Sequence, residues 1–103
     1  MFARAVRMQL KSESAAEFTR WIEDEVIPVL RKQEGFMDEI AFVRPSRREA
    51  IRITLWESKE NAEAYHRGAH AELLKTLGNV VEGTPRARSF EVSNSTWHKI
   101  ASS

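Results

Sequence analysis

No cysteine occurs among the 103 residues. Disulfides, thiolate nucleophiles, iron–sulfur clusters and cysteine-rich zinc sites are thereby excluded within this chain, and the absence suits a reducing, cytoplasmic setting. Glycine is scarce, with four residues, and proline scarcer, with three. No glycine-rich phosphate loop and no nicotinamide or flavin fingerprint can be assembled from them, so no cofactor is expected. Charge of one sign is not in excess. Sixteen basic residues face 15 acidic ones, for a formal net charge of +1. That balance gives no electrostatic reason to expect a nucleic acid or an anionic membrane as partner. Long hydrophobic runs are missing as well. The longest in the first helical segment, Val26 to Leu30, is five residues, far short of a membrane span. Charge at Arg4 and Arg7 precedes any apolar stretch, so the start is not expected to be a signal peptide.

What is present fits one folded domain of 11.9 kDa, with 42% hydrophobic and 30% charged residues. A core of that size is modest, and a partner surface would help it. Phe2, Arg4, Val6, Met8 and Leu10 share one parity, which predicts a strand with one strongly apolar face. Ser14 and Glu17 fit a capping box, with Ser12 as a rival cap. Phe18, Ile22, Val26 and Val29 then follow at helical spacing. Acidic residues open that helix, and Arg31 and Lys32 close it, in the sense the helix dipole favours. Pro28 removes a backbone donor, which predicts a bend or a turn of altered pitch, and Gly35 ends the segment.

Phe36 to Arg44 alternates again. Pro45 to Glu49 is a short polar connection, and Ala50 to Trp56 is the clearest strand. Ile51, Ile53 and Leu55 form its apolar face, with Arg52, Thr54 and Trp56 opposite. Ser58 can cap a helix from Lys59 to about Arg67. Gly68 interrupts it, and Ala69 to Leu77 resumes it. The buried stripe would be Ala62, Tyr65, Ala69, Leu73 and Leu77. Val80 to Pro85 reads as a loop and Arg86 to Ser95 as the last strand. The domain would span residues 1–95, with residues 96–103 as a tail.

The order βαββαβ predicts an α+β, ferredoxin-like sandwich: a four-stranded antiparallel sheet with helices on one face. The helix-covered face is expected to carry Val6, Met8, Ile40, Phe42, Ile51, Ile53, Leu55, Phe90 and Val92. The other would then hold Ala5, Arg7, Gln9, Met37, Glu39, Ala41, Val43, Arg52, Thr54, Trp56, Ser89 and Glu91. Apolar and mixed faces together exceed what helices on one side can cover, which predicts a homodimer through the open sheet face. Between two such sheets there would be either a partly polar cavity or an interface crossed by paired charges.

Several stretches resemble the antibiotic-biosynthesis-monooxygenase family of the dimeric α/β-barrel group. They are Val6-Arg7-Met8, Pro28-Val29-Leu30, Glu34-Gly35-Phe36, Leu55-Trp56-Glu57-Ser58-Lys59-Glu60, Tyr65 to His70, and Arg86 to Val92. The resemblance covers about residues 2–95. It implies a dimeric α/β barrel and an activity among cofactor-free oxygenases of aromatic polyketides, quinol oxygenases and haem-degrading enzymes. The asparagine, histidine and tryptophan of the haem-degrading members fall on Val6, Lys75 and Tyr65, so none is kept. His70 is similar to a histidine found in many quinol-oxygenase-like members.

Five residues then stand out. His70, in the first turn of a helix, could accept a proton from an acidic aromatic hydroxyl as a neutral imidazole, which the helix N-terminus favours. Its alternative is a surface or capping role. Tyr65 could donate to a carbonyl or quinone oxygen, or only fill the core. Arg52 could hold an enolate or carboxylate, or pair with Glu39 or Glu91. Arg7 has the same ambiguity. Trp56 could stack on a planar ring, or pack against a partner subunit. His66 and His98 are weaker candidates. His66 and His70 are four apart, but Gly68 lies between them and only Glu72 is near, so no metal is expected. The reading that emerges is a cofactor-independent monooxygenase of an aromatic quinol or anthrone-like small molecule. Its alternative is a non-catalytic binder or structural dimer of the same fold.

Overall fold

The computed structural model describes residues 1–100. Strand β1 (Phe2–Leu10) is followed by helix α1 (Ala15–Trp21), a π turn over Ile22–Val26 and helix α2 (Ile27–Leu30). Strand β2 (Phe36–Arg44) joins strand β3 (Glu49–Trp56) through a 3-10 turn at Pro45–Arg47. Helices α3 (Lys59–Arg67) and α4 (His70–Leu77) lead into strand β4 (Val81–Glu91). The sheet is antiparallel throughout, in the order β2-β3-β1-β4. This is the predicted α+β, ferredoxin-like arrangement.

Local chemistry explains most of the element ends. The π turn is where Pro28 acts. Ile27 N–H bonds Ile22 O, five residues back, just before the proline that cannot donate. Ser58 caps α3, accepting from Asn61 N–H at 3.2 Å, and its hydroxyl donates to Asn61 Oδ1 at 2.7 Å. Gly35 takes a left-handed φ of 77°, and a Cβ there would stand 2.2 Å from Asn61 Oδ1. Only glycine lets the end of the first helical segment come so close to the cap of α3. The capping box does not form. Ser14 makes no side-chain cap bond, and its hydroxyl turns back toward Ser12 O at 3.5 Å. β4 also begins earlier than predicted. Val81 pairs with Leu10, and a register shift opposite Arg7 to Gln9 absorbs Gly83, with φ of 67°. The predicted loop over 80–85 is therefore mostly strand, and the strand stops at Glu91 rather than Ser95.

The core lies between the sheet and the helices. Leu10, Phe18, Val26, Leu30 and Trp56 are its most completely buried large side chains. Tyr65, Leu73 and Leu77 close it from α3 and α4, and Ala62 and Ala69 complete the predicted stripe.

The strand faces are the main correction. Phe2, Met8 and Leu10 of β1 point into the core as predicted. In register with them, Phe2 faces Trp56, Val6 faces Arg52 and Met8 faces Ala50. Arg52, Thr54 and Trp56 therefore lie under the helices, and Ile51, Ile53 and Leu55 lie on the open face. The same inversion holds for β2, where Ile40 and Phe42 pair with Ile53 and Ile51 on the open face. In β4, Phe90 pairs with Ala3 and is 53% exposed. Val92 lies beyond the strand. The expectation rested on apolar residues facing inward. Here an arginine is buried because Glu39 neutralises it, and the apolar side chains it displaces line a second hydrophobic surface.

Candidate functional site

A cavity of about 170 Å³ lies between the helices and the sheet within one chain, not between two sheets. Val6, Met8 and Ala87 form its floor, and Leu73, Leu74 and Leu77 its helical wall. Polar groups enter at Arg4, Arg52, His66 and His70, with Trp21 on a further side. It is an apolar pocket with a few convergent polar groups, the general form of a small-molecule site.

His70 begins α4 because Gly68 breaks the helix before it. Gly68 N–H closes α3 on Ala64 O and Tyr65 O, and Gly68 O accepts from Ala71 N–H. That break brings His70 back over α3, with its ring 4.4 Å from that of His66 and edge-on to Tyr65 at 5.5 Å. Burial pushes the His70 pKa down to about 4, helped by the nearby His66, Arg52 and Arg4 charges. The imidazole is therefore neutral at pH 7, as predicted. Burial is the main cause, rather than the helix N-terminus. His66 shifts in the same direction, through burial and then the charge of Arg4.

Arg52 lines the cavity, but its fork is engaged. Nη2 donates to Glu39 Oε2 at 2.6 Å and Nε to Glu39 Oε1 at 3.2 Å. Thr54 Oγ1 donates to the same carboxylate at 3.3 Å. The pair is almost wholly buried, with side-chain exposures of 7% and 3%. Burial works against the arginine's charge, but Glu39 outweighs it and the Arg52 pKa rises. The guanidinium also lies 5.8 Å from the Trp21 ring centre.

Tyr65 is buried, and its Oη has no hydrogen-bond partner. Arg52 is close enough to act on it, although its Nε and Nη2 donors go to Glu39. Burial raises the Tyr65 pKa, against the pull of the Arg52 charge. A buried, unpartnered hydroxyl costs roughly 1–3 kcal/mol, and Tyr65 lies behind the residues that line the cavity.

Trp56 stacks behind Tyr65 at 5.2 Å and meets Phe36 edge-on at 5.7 Å. It supports the site without lining the cavity. Arg7 is separated from it altogether. It lies on the open face, 67% exposed, and bonds Glu49. The structure thus brings His70 and Arg52 to the cavity wall, sets Tyr65 and Trp56 behind that wall, and leaves Arg7 outside. His98 also lies outside, paired with Asp38.

Sequence reasoning missed Arg4 and Trp21. Arg4 shares the parity of Phe2, Val6 and Met8, so its place on an inward face was a usable signal. Trp21, the last residue of α1, follows buried Phe18 by three positions, a spacing that signals burial but not a cavity wall. It is held by donating Nε1–H to Thr76 Oγ1 at 2.8 Å. Among the described residues no three histidine or acidic side chains gather as a metal set. No helix of the described residues is long and apolar enough to cross a membrane.

No family model matches the chain, and no curated protein matches it. Solved structures do. A protein of unknown function from Nitrosomonas europaea, NE2512, aligns with a TM-score of 0.77 at 14% identity, over 99% of this chain and 95% of that one. A single-residue variant of SnoaB, a cofactor-independent oxygenase from Streptomyces nogalater, gives 0.75 at 13% identity, over 92% and 95%. A monooxygenase from the ActVA-Orf6 gene of Streptomyces coelicolor, in complex with Nanaomycin D, gives 0.75 at 19% identity, over 91% and 88%. Others carry the name antibiotic biosynthesis monooxygenase as a provisional assignment. The chain shares the fold of these proteins.

Proposed function

We propose that the chain is a cofactor-independent monooxygenase of the antibiotic-biosynthesis-monooxygenase family, acting on a small hydroxylated aromatic. The observation that carries this is a neutral, half-buried imidazole on the wall of an apolar cavity, with an unpartnered phenol hydroxyl behind it. Fold likeness to two named oxygenases supports it. His70 takes the proton of the substrate hydroxyl. Tyr65 packs edge-on behind the His70 ring and holds it in place, and Trp21 offers a ring face. The anion passes electrons to dioxygen, a carbon–oxygen bond forms, and the O–O bond then breaks. The C–H hydrogen and the hydroxyl proton leave with the second oxygen atom as water, and a quinone remains. Size favours a quinol-type ring over a three-ring anthrone. A comparable apolar cavity of about 150 Å³ holds benzene.

Assembly belongs to the same reading. The open face presents Ile40, Phe42, Ile51, Ile53 and Phe90, and we take its occupant to be a second copy of this chain. Apolar residues from three strands share one uncovered face, and a contiguous apolar patch of that kind marks an interaction surface. The identical surface on a second copy is self-complementary in character.

The test is dissolved-oxygen uptake by metal-stripped protein offered naphthols and quinols, with heat-killed protein and His70→Ala as controls. Saturable uptake lost in the variant supports the oxygenase. No uptake above background across the panel turns the reading to a small-molecule binder or structural dimer. The buried Arg52–Glu39 pair would then be a structural brace.

A further inference from the structure

We propose that the substrate carries a carboxylate and that Arg4 holds it. This deepens the oxygenase reading and rests on it for the site, but not on turnover for its test. Arg4 projects from β1 toward the helices, between Thr54 of β3 and Ser89 of β4 in register. It stands where the main cavity meets a second groove. That groove has a volume of about 360 Å³ and runs between α3 and the sheet, past Ala62, His66 and Ser89. The cavity is sized for one or two rings, so a substituent on the ring would project past Arg4 into the groove.

Arg4 differs from the site's other arginine in having no partner. Arg52 is neutralised by Glu39. Arg4 makes no ion pair and no side-chain hydrogen bond among the described residues, although it is half-buried. Its surroundings add little negative charge. Glu63 on the groove wall lies 3.9 Å from Lys59, and Arg67 stands beside them. Its charge reaches His66 and His70, adding to the burial that lowers the pKa of each. A partly desolvated guanidinium without a counter-ion gains most from a carboxylate, which it can meet with two parallel N–H donors. Burial, with a smaller contribution from Arg4, lowers the pKa of both imidazoles, so they do not compete for the anion.

The test is binding, by calorimetry, of 3-hydroxy-2-naphthoate and 2-naphthol to the wild-type protein, Arg4→Gln, Arg4→Lys and Arg67→Gln. Wild type should prefer the naphthoate by roughly tenfold or more, the scale of a charge-assisted hydrogen bond. Rising salt should shrink that preference. Arg4→Gln should abolish it while leaving 2-naphthol affinity within about twofold. Arg4→Lys should keep part of it, and Arg67→Gln all of it. If Arg4→Gln does not fold, the lysine variant and the salt series carry the test. Equal binding of the two ligands by wild type overturns the proposal, as does binding of neither. A preference that survives Arg4→Gln, or vanishes in Arg67→Gln, also overturns it. Oxygen uptake is a separate readout: naphthoate binding without turnover removes the oxygenase and leaves the anion site standing.

Discussion

The His70 ring is the residue whose protonation most tightly joins stability to chemistry. Its folded pKa, about 4, lies below the ordinary value of 6.5. Between those values the unfolded chain binds a proton that the folded chain refuses. The stabilising contribution is complete above pH 6.5 and is lost as pH falls toward 4. Thermal melts should therefore show wild type losing more Tm between pH 6.5 and 4 than His70→Gln does. Parallel profiles for the two would contradict the neutral assignment. For turnover, the acid limb of kcat/KM should lie near pH 4, not near 6.5. The Arg52–Glu39 pair makes a separate prediction. Arg52→Met leaves a buried carboxylate without its cation and should cost about 3–5 kcal/mol in urea denaturation. Adding Glu39→Leu should restore most of that loss. A single variant no less stable than wild type would remove the pair from the account of the fold.

Turns and strands show where a sequence is readable. The connection at Gly35 is decided by backbone geometry and by the Asn61 side chain it touches. Gly35→Ala should cost more than about 1 kcal/mol, measured by urea denaturation, through both the left-handed φ and the clash. A loss below about half of that would show that Asn61 can move aside. Glycine, the Ser58 cap and the alternation of β2 and β3 are local signals, and they placed these elements correctly. Which face of each strand turns inward is not local. It follows from register against β1, and the apolar content of β3 points the wrong way because Arg52 carries its own counter-ion. The same non-locality explains Arg7 and Trp56. Both were placed on one outer face with Arg52. The ladder separates them, sending Trp56 into the core and leaving Arg7 in water. The positions of Tyr65 and His70 in the fold were legible, the first from the spacing of its buried stripe and the second from the Gly68 break that starts α4.

At the scale of the whole molecule, the uncovered face sets the expected assembly. Light scattering at low protein concentration should give about twice 11.9 kDa. Ile53→Lys, at the centre of that face, should shift the mass toward the single chain, because burying a lysine there without a counter-ion is costly. A wild-type monomer, or a variant that stays dimeric, would send the interface elsewhere. If dimers form this way, each keeps two separate cavities, one beneath its own helices, and neither cavity needs the other chain to close it.

Strand β3 thus divides its labour by alternate residues. Ala50, Arg52, Thr54 and Trp56 turn toward the interior and the cavity, and Ile51, Ile53 and Leu55 turn outward. Neighbours along one backbone answer to different demands, one set by the core beneath the helices and one by the outer surface. Only Arg52 of the even positions lines the cavity, so a library there would chiefly probe core packing. Varying the odd ones would probe the outer surface and leave that packing alone, so the two faces can be tested independently on eight consecutive residues.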